Sequence, residues 1–375
     1  MEEIRKLTAI GLMSGASGKG VDAALVETDG FDIFENKVSL TNHYDDVLRQ
    51  ALCSVMSGKD SNDEEKIRKV ELLLTLFHGD TVRLLLEKAG RSVEDIDVIG
   101  FHGHTVLHNA ALHVTRQLGN AELLANELKI NVVSRFRNVD IKAGGQGAPL
   151  EPAFLLAALR DEKKPLGVIN IGGIMSVTLI GENGEMQAFH AGTGNVLVDK
   201  FMNQKYGLEM DFEGLEAARG KPDEKVIEKL LRDDFFTKTP PKSLDAGYFD
   251  YALDDVKGLA LQDAVATLTA FSAYSLAQSV NDFAFTKPQK WIVCGGGANN
   301  PTLCRYIRES LGSELINSKE VGINPDTMEA QSFAFLAVRS VFGLPLTFPQ
   351  TTGVAEDLSG GKLFVFENKG INNGR

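Results

Sequence analysis

Apolar positions along the chain change period from about 2 to about 3.6 and back, and this alternation predicts the elements. Leu7 to Met13 is an apolar run ending in a glycine turn, and Val21 to Thr28 resumes with β-branched residues and alanine. Asp29-Gly30 is a hairpin signal into a third strand over Phe31–Val38. Helical spacing follows around Asp45–Met56 and more strongly across Asp63–Ala89. Strands return at Ile96–Phe101 and Ile130–Phe136, with a short helix at Ala121–Leu128 between them. After the cluster Ala143–Leu150, Pro152 suits the first turn of a helix through Ala158, since its missing N–H has no intrahelical acceptor there.

A second meander then begins, with strands at Gly167–Ile171, Ser176–Ile180 and Met186–His190 and a helix over Gly194–Tyr206. Beyond the polar passage Thr237–Ser243 lies a long helical pattern at Ala260–Phe283. The strand Trp291–Cys294, a helix Pro301–Leu311, a short strand Glu314–Asn317 and a helix Met328–Val341 complete the reading. Each half opens with a meander broken by a glycine turn, at Gly11–Gly20 and at Gly172–Gly173. That repeat of topology predicts two related α/β lobes flanking a ligand cleft, residues 1–150 and 151–375, with the final helix free to return to the first lobe.

The 375 residues suit about two domains and can bury a core without staples. A formal charge of -12 disfavours nucleic acid and anionic membranes as partners. Cys53, Cys294 and Cys304 have neither CxxC nor metal spacing and are expected to be small buried hydrophobes in a reducing compartment. The opening MEEIRKLTAIGLMSG reads as a first strand rather than a leader, and no 18-residue apolar run occurs, so the expected location is cytoplasmic.

Four glycine turns sit where strands end: GLMSGASGKG, NIGG, AGTGN and CGGGANN. Such junctions let backbone N–H groups approach a phosphate unobstructed, and four in one chain point to a nucleotide site. Neither GxxxxGK[ST] nor GxGxxG is present, which disfavours P-loop and Rossmann readings. Spacing alone allows His104 and His108 to be metal ligands, but the HExxH glutamate is missing and no metal site is expected. Trp291 and Phe271–Tyr274 are expected in the core.

Several motifs together resemble one family nearly end to end. They are Met13-Ser14-Gly15, His102-Gly103 with Thr105, Asp140-Ile141, Gly144-Gly145-Gln146-Gly147-Ala148-Pro149-Leu150 and Asn170-Ile171-Gly172-Gly173-Ile174. Further along come Pro241-Lys242-Ser243, Cys294-Gly295-Gly296-Gly297, Asn300-Pro301 and Met328-Glu329-Ala330. The chain resembles the anhydro-N-acetylmuramic acid kinases. The resemblance implies a two-lobed actin-like ATPase fold of ribonuclease H-like repeats with a central cleft, and a homodimer. It also implies an ATP- and Mg²⁺-dependent kinase of cell-wall recycling, which opens the 1,6-anhydro ring of an amino sugar with water while phosphorylating O6. By that resemblance Gly15, Ser17, Lys19, Gly172, Gly173, Gly192, Gly194, Asn195, Gly295, Gly296 and Gly297 would bind ATP. His102, Thr105, Arg137 and Gln146 would bind substrate, and His190 and Glu329 would be catalytic.

The chain departs from the family pattern at chemically important places. The family's MSGTSxDG becomes Met13-Ser14-Gly15-Ala16-Ser17-Gly18-Lys19-Gly20, replacing a carboxylate with Lys19. Its DTGPGN becomes His190-Ala191-Gly192-Thr193-Gly194-Asn195, so His190 stands at the position of the catalytic aspartate. A DFRRRD-like segment becomes Arg135–Asp140, KSTGRE becomes Lys242–Gly247, HGQT becomes His102–Thr105, and IGD becomes Leu118–Asn120. Histidine can act as a base, but its ring places the nitrogen differently and carries no carboxylate charge. These changes imply an impaired or altered kinase or, as the alternative, an inactive relative that binds nucleotide or sugar in a regulatory or scaffold role. A nucleotide switch without a sugar substrate is a third reading.

Overall fold

The computed structural model describes residues 5–15, 18–32, 34–56 and 63–366. Ser17 and its neighbour Ala16 lie outside the described residues. The chain divides into two compact units, one of residues 1–160, 326–349 and 354–375, the other of residues 161–325 and 350–353. The division follows Arg160 rather than Leu150, and the helix Met328–Val341 belongs to the first unit.

The first unit opens with β1 (Leu7–Ser14), β2 (Gly20–Thr28) and β3 (Phe34–His43), an antiparallel meander. β4 (Val98–Asn109) then pairs parallel to β1. A hairpin turns β4 antiparallel into β5 (Val114–Leu118), and β6 (Val132–Ser134) lies parallel on the other side of β4. The second unit repeats the plan. β7 (Leu166–Ile171), β8 (Ile174–Ile180) and β9 (Met186–Thr193) form a meander, and β10 (Lys290–Cys294) and β11 (Glu314–Asn317) add in parallel on the β7 side. The strands lie in the order β3-β2-β1-β4-β6 and β9-β8-β7-β10-β11, so both units have meander strands on one side and parallel crossovers on the other. This is the α/β, ribonuclease H-like repeat of the actin-like ATPase fold. The chain ends in the first unit with β12 (Pro345–Thr347) paired to β13 (Leu358–Ser359), and β14 (Lys362–Phe364) adding antiparallel to β6.

The sequence pattern missed β5 because exposed residues alternate there with half-buried polar ones, leaving little apolar signal. It also stopped the first crossover strand at Phe101, whereas β4 runs on through His102, Gly103 and His104, all buried. His104 and His108 therefore sit on a strand. Among the cysteines, Cys53 is exposed on the helix Asp46–Met56 and Cys304 is half-buried, and only Cys294 is fully enclosed, on β10. The expectation of three buried thiols fails because the solvent face of a surface helix needs no apolar residue.

Each unit has its own core. In the first, the helix Glu64–Ala89 begins at Asp63, whose carboxylate accepts from the Lys66 amide at 3.1 Å, and buries Ile67, Val70, Leu74 and Val82 in a cluster with Ile10, Leu12 and Phe101. A carboxylate at a helix N-terminus satisfies an unpaired amide and meets the positive end of the dipole. The helix Met328–Val341 lies so close on the sheet that a Cβ at Gly11 would collide with the Ala330 carbonyl, and one at Gly100 with that of Phe333. In the second unit the helix Leu261–Phe283 buries Leu268, Phe271 and Leu276 with Phe189 of β9 and Trp291 of β10.

Gly100→Ala should therefore cost about 3 kcal/mol or more, because the obstructing atoms are backbone and cannot rotate away. Urea denaturation of the variant against the natural protein measures this, and Ala at the open position Gly258 serves as control.

Candidate functional site

Residues singled out from the sequence lie in both units. In the second unit, the turn after β7 (Gly172, Gly173) meets the turn after β9. The Gly194 amide donates to the Gly173 carbonyl at 2.8 Å, the Asn195 amide to Gly172 at 2.9 Å, and the Val196 amide to Gly173 at 3.2 Å. A Cβ on Gly194 would strike the Gly172 carbonyl, and one on Gly297 would strike Ile171 and approach Asn195 Nδ2 at 3.1 Å. Gly295, with φ 78°, donates its amide to the Pro325 carbonyl at 3.0 Å. Gly172, Gly173, Gly194, Asn195, Gly295 and Gly297 are thus brought together, and Gly296 is exposed beside them. The amides of Gly194, Asn195 and Val196 already serve carbonyls of the neighbouring turn. Glycine is needed here for close approach of two backbones, beyond any role in offering amides to a phosphate.

Gly192 is buried under Ser275, which occupies the space a Cβ would take. Ser272 donates to the Gly194 carbonyl at 2.9 Å and Ser279 to that of Ala191 at 3.0 Å. The serines of the helix Leu261–Phe283 thereby satisfy the carbonyls of the segment that follows His190.

His190 is half-buried on β9, the edge strand of its sheet. Its amide donates to the Lys242 carbonyl at 3.0 Å, and the Leu244 amide donates to His190 Nδ1 at 2.8 Å. The strap carrying those two groups is anchored by the Lys242 side chain, which leaves the residue only 3% exposed. Its Nζ donates to the Phe235 carbonyl at 3.2 Å and lies 4.5 and 4.7 Å from the ring centroids of Phe235 and Phe283. Burial pushes the amine down to about 8, opposed by Asp282.

In the first unit, Arg137 is the hub. Its Nε donates to His102 Nε2 at 3.0 Å and a terminal nitrogen to the Gly147 carbonyl at 2.6 Å. Burial works against its charge, and the carboxylates of Glu329, Glu151 and Asp140 support it. His102 is buried, donates from Nδ1 to the Gly103 carbonyl at 3.0 Å and lies with its ring 4.5 Å from that of Phe333, tilted by 31°. Burial, and then the neighbouring Arg137, hold its imidazole well below the ordinary range, so it is neutral and supports the guanidinium. Asp140 braces the same turn by accepting from the Gly147 amide at 2.6 Å. Gln146 presents its carbonyl to His108 Nε2 at 3.0 Å, and Thr105 accepts from Gln117 at 3.3 Å. Glu329 stands half-buried in the first turn of the helix Met328–Val341. Gly15 and Lys19 are half-buried on the turn between β1 and β2, where the Lys19 carbonyl accepts from the Tyr44 amide at 3.1 Å.

Sequence reasoning missed a chain of polar contacts beside that turn, buried at Ser14, Tyr44 and His104 and ending at exposed Met56. Ser14 Oγ lies 2.6 Å from the Tyr44 hydroxyl and 2.7 Å from His104 Nδ1, and His104 Nε2 lies 2.9 Å from Met56 Sδ. A thioether can only accept, so Nε2 carries the proton and Nδ1 accepts from Ser14. Burial pushes the His104 imidazole down to about 4. The histidine in place of glutamine in HGHT was its one signal. The HxxxH pair does not converge, since His108 instead bridges Thr115 at 3.1 Å and Gln146. Among the described residues no group of three His, Cys, Asp or Glu could hold a metal ion. No helix among them is long and apolar enough to cross a membrane.

The family model of the anhydro-N-acetylmuramic acid kinases matches residues 7–365. The chain belongs to that family. The anhydro-N-acetylmuramic acid kinase of Azorhizobium caulinodans is 43% identical over 368 residues, covering 96% of this chain and 99% of its own. Those of Methylobacterium nodulans and Rhodospirillum rubrum are each 41% identical, covering 95% and 94% of this chain and 99% and 93% of their own. Among solved structures, the activator of 2-hydroxyisocaproyl-CoA dehydratase from Clostridium difficile with bound ADPNP is similar at a TM-score of 0.48 and 14% identity, over 90% of this chain and 96% of that one. In this family member the arginine hub and the glycine turns coexist with a histidine at position 190 held by the strap Lys242–Leu244.

The strap has a measurable pH signature. With a folded-state pKa of about 8 for Lys242 against 10.5 for the free side chain, the unfolded chain binds more protons between those values. The stability of the natural protein relative to Lys242→Met should therefore rise from pH 8 to pH 10.5 and be constant below pH 8. Thermal melts of both proteins across that range check the slope.

Proposed function

We propose that this chain is an ATP-dependent phosphotransferase acting on a 1,6-anhydro amino sugar of the N-acetylmuramic type, slowed at the step that activates water. The carrying observation is a family match that runs from residue 7 to residue 365, taking in both the arginine hub and the glycine turns. On this reading the turns at Gly172–Gly173, Gly192–Asn195 and Gly295–Gly297, with Gly15, Ser17 and Lys19, receive the nucleotide. Arg137, braced by neutral His102, meets an anionic or carbonyl oxygen of the sugar, with Thr105, Gln146 and Glu329 orienting it.

In the reaction, a water oxygen bonds to C1 while the C1–O6 bond breaks. O6 takes the γ-phosphoryl group, ADP leaves, and the water proton passes to a base. Magnesium would enter on the nucleotide and needs only one or two carboxylates. Lys19 stands where the family pattern has a carboxylate, so the chain offers no metal ligand at that position. The protein would work in the cytoplasm on cell-wall sugars.

A second reading, a relative that binds nucleotide or sugar without turnover, is favoured by one observation. The nitrogen of His190 nearest the chain already accepts the Leu244 amide.

ADP production from ATP, Mg²⁺ and 1,6-anhydro-N-acetylmuramic acid decides between the readings. Slow, sugar-dependent turnover is expected, rising about a hundredfold or more in His190→Asp, as restoration of a general base should give. Silence from both proteins together with thermal stabilisation by ATP would favour the second reading. Silence without any stabilisation by nucleotide or sugar would overturn both.

A further inference from the structure

We infer that the backbone amide of Leu244 fixes the tautomer of His190, so that its ring proton resides on Nε2 and its ring lone pair is not open to accept a proton. The inference deepens the proposed function and rests on its placing residue 190 at the reacting sugar.

The geometry comes from strand pairing. His190 donates its amide to Lys242, two residues before Leu244, as in one half of a parallel bridge. The other half would send the Leu244 amide to the His190 carbonyl. The imidazole takes that amide instead, at 2.8 Å on Nδ1. A backbone amide can only donate, so Nδ1 must present its lone pair, and the proton of the neutral ring resides on Nε2. An imidazolium would set a ring N–H against the Leu244 N–H, so the observed contact is that of the neutral ring. A neutral imidazole has a single lone pair available for accepting, and here it faces the strap. A water proton has nowhere to go on this side chain unless the Leu244 bond breaks.

Leu244 cannot easily turn aside. Its side chain is buried at 5% exposure, and two residues earlier Lys242 is gripped between Phe235 and Phe283. The same amide would serve an aspartate differently. A carboxylate has two oxygens, so one could accept from Leu244 while the other remains available as a base. Leu244 N–H is thus a positioning group that orients whatever occupies position 190, and the identity of that residue decides whether the site accepts or donates a proton.

The test is nitrogen NMR of the full-length natural protein labelled with ¹⁵N, with the His190 signals assigned by their loss in His190→Gln. A single Nε2–H tautomer is expected for His190, with a scalar coupling through the hydrogen bond between its Nδ1 and the Leu244 amide nitrogen. His78 and His102, whose Nδ1 atoms face the carbonyls of Leu74 and Gly103, are internal references for the opposite tautomer. An Nδ1–H tautomer, a mixture of the two, or no such coupling would overturn the inference. None of these outcomes depends on turnover, so they leave the kinase reading to the ADP assay. In the His190→Asp background, Leu244→Pro should remove about tenfold or more of the regained kcat with a smaller change in KM, as lost orientation of a base would. If that double variant does not fold, the coupling in the natural protein still decides.

Discussion

Backbone lying directly on backbone is the constraint on which both units depend. In the first, the helix Met328–Val341 reaches the sheet only because Gly11 and Gly100 have no Cβ to meet its carbonyls. In the second, the turns after β7 and β9 interlock through amide–carbonyl bonds at Gly172, Gly173, Gly194 and Asn195, where a Cβ on Gly194 would strike the opposing carbonyl. Such contacts leave no freedom to adjust, which is why a single methyl is costly there and why the turns are held rigidly.

Each unit also buries a cation, and the two are handled differently. Arg137 has its guanidinium hydrogen-bonded to His102 and Gly147 and lies in the field of three carboxylates, so it remains charged at any ordinary pH. Lys242 has one carbonyl and two aromatic faces and is pushed down to about 8. The first arrangement makes a fixed positive group suited to an oxygen-rich ligand. The second anchors a strap, and the strap determines which nitrogen of His190 carries the proton. A substitution at position 190 is therefore to be judged with the backbone that faces it, since the same amide that could orient a carboxylate occupies the imidazole's only lone pair.

Much of the architecture was legible in the residues. The two meanders, the helices Ala121–Leu128, Pro301–Leu311 and Met328–Val341 and the strand Glu314–Asn317 follow from periodicity, and their observed bounds match the sequence reading. The hairpin strand β5 and the late strands β12–β14 were not legible, because short pieces at a sheet margin carry few apolar positions. At the site, the glycine turns and Arg137 stood out by type and order. The chain Tyr44–Ser14–His104–Met56 did not, since it joins residues from four separated segments whose hydroxyl, imidazole and thioether meet only after folding.

The repeated α/β plan, the family and the histidine where its pattern has aspartate are all legible in the residues, because periodicity, glycine placement and motif order are local properties of the chain. What that histidine can do depends on its packing. Its proton is placed by an amide 54 positions away, on a strap held in turn by a lysine between two phenylalanines. Hydrogen-bond direction depends on which groups face each other, and that is settled by packing rather than by composition.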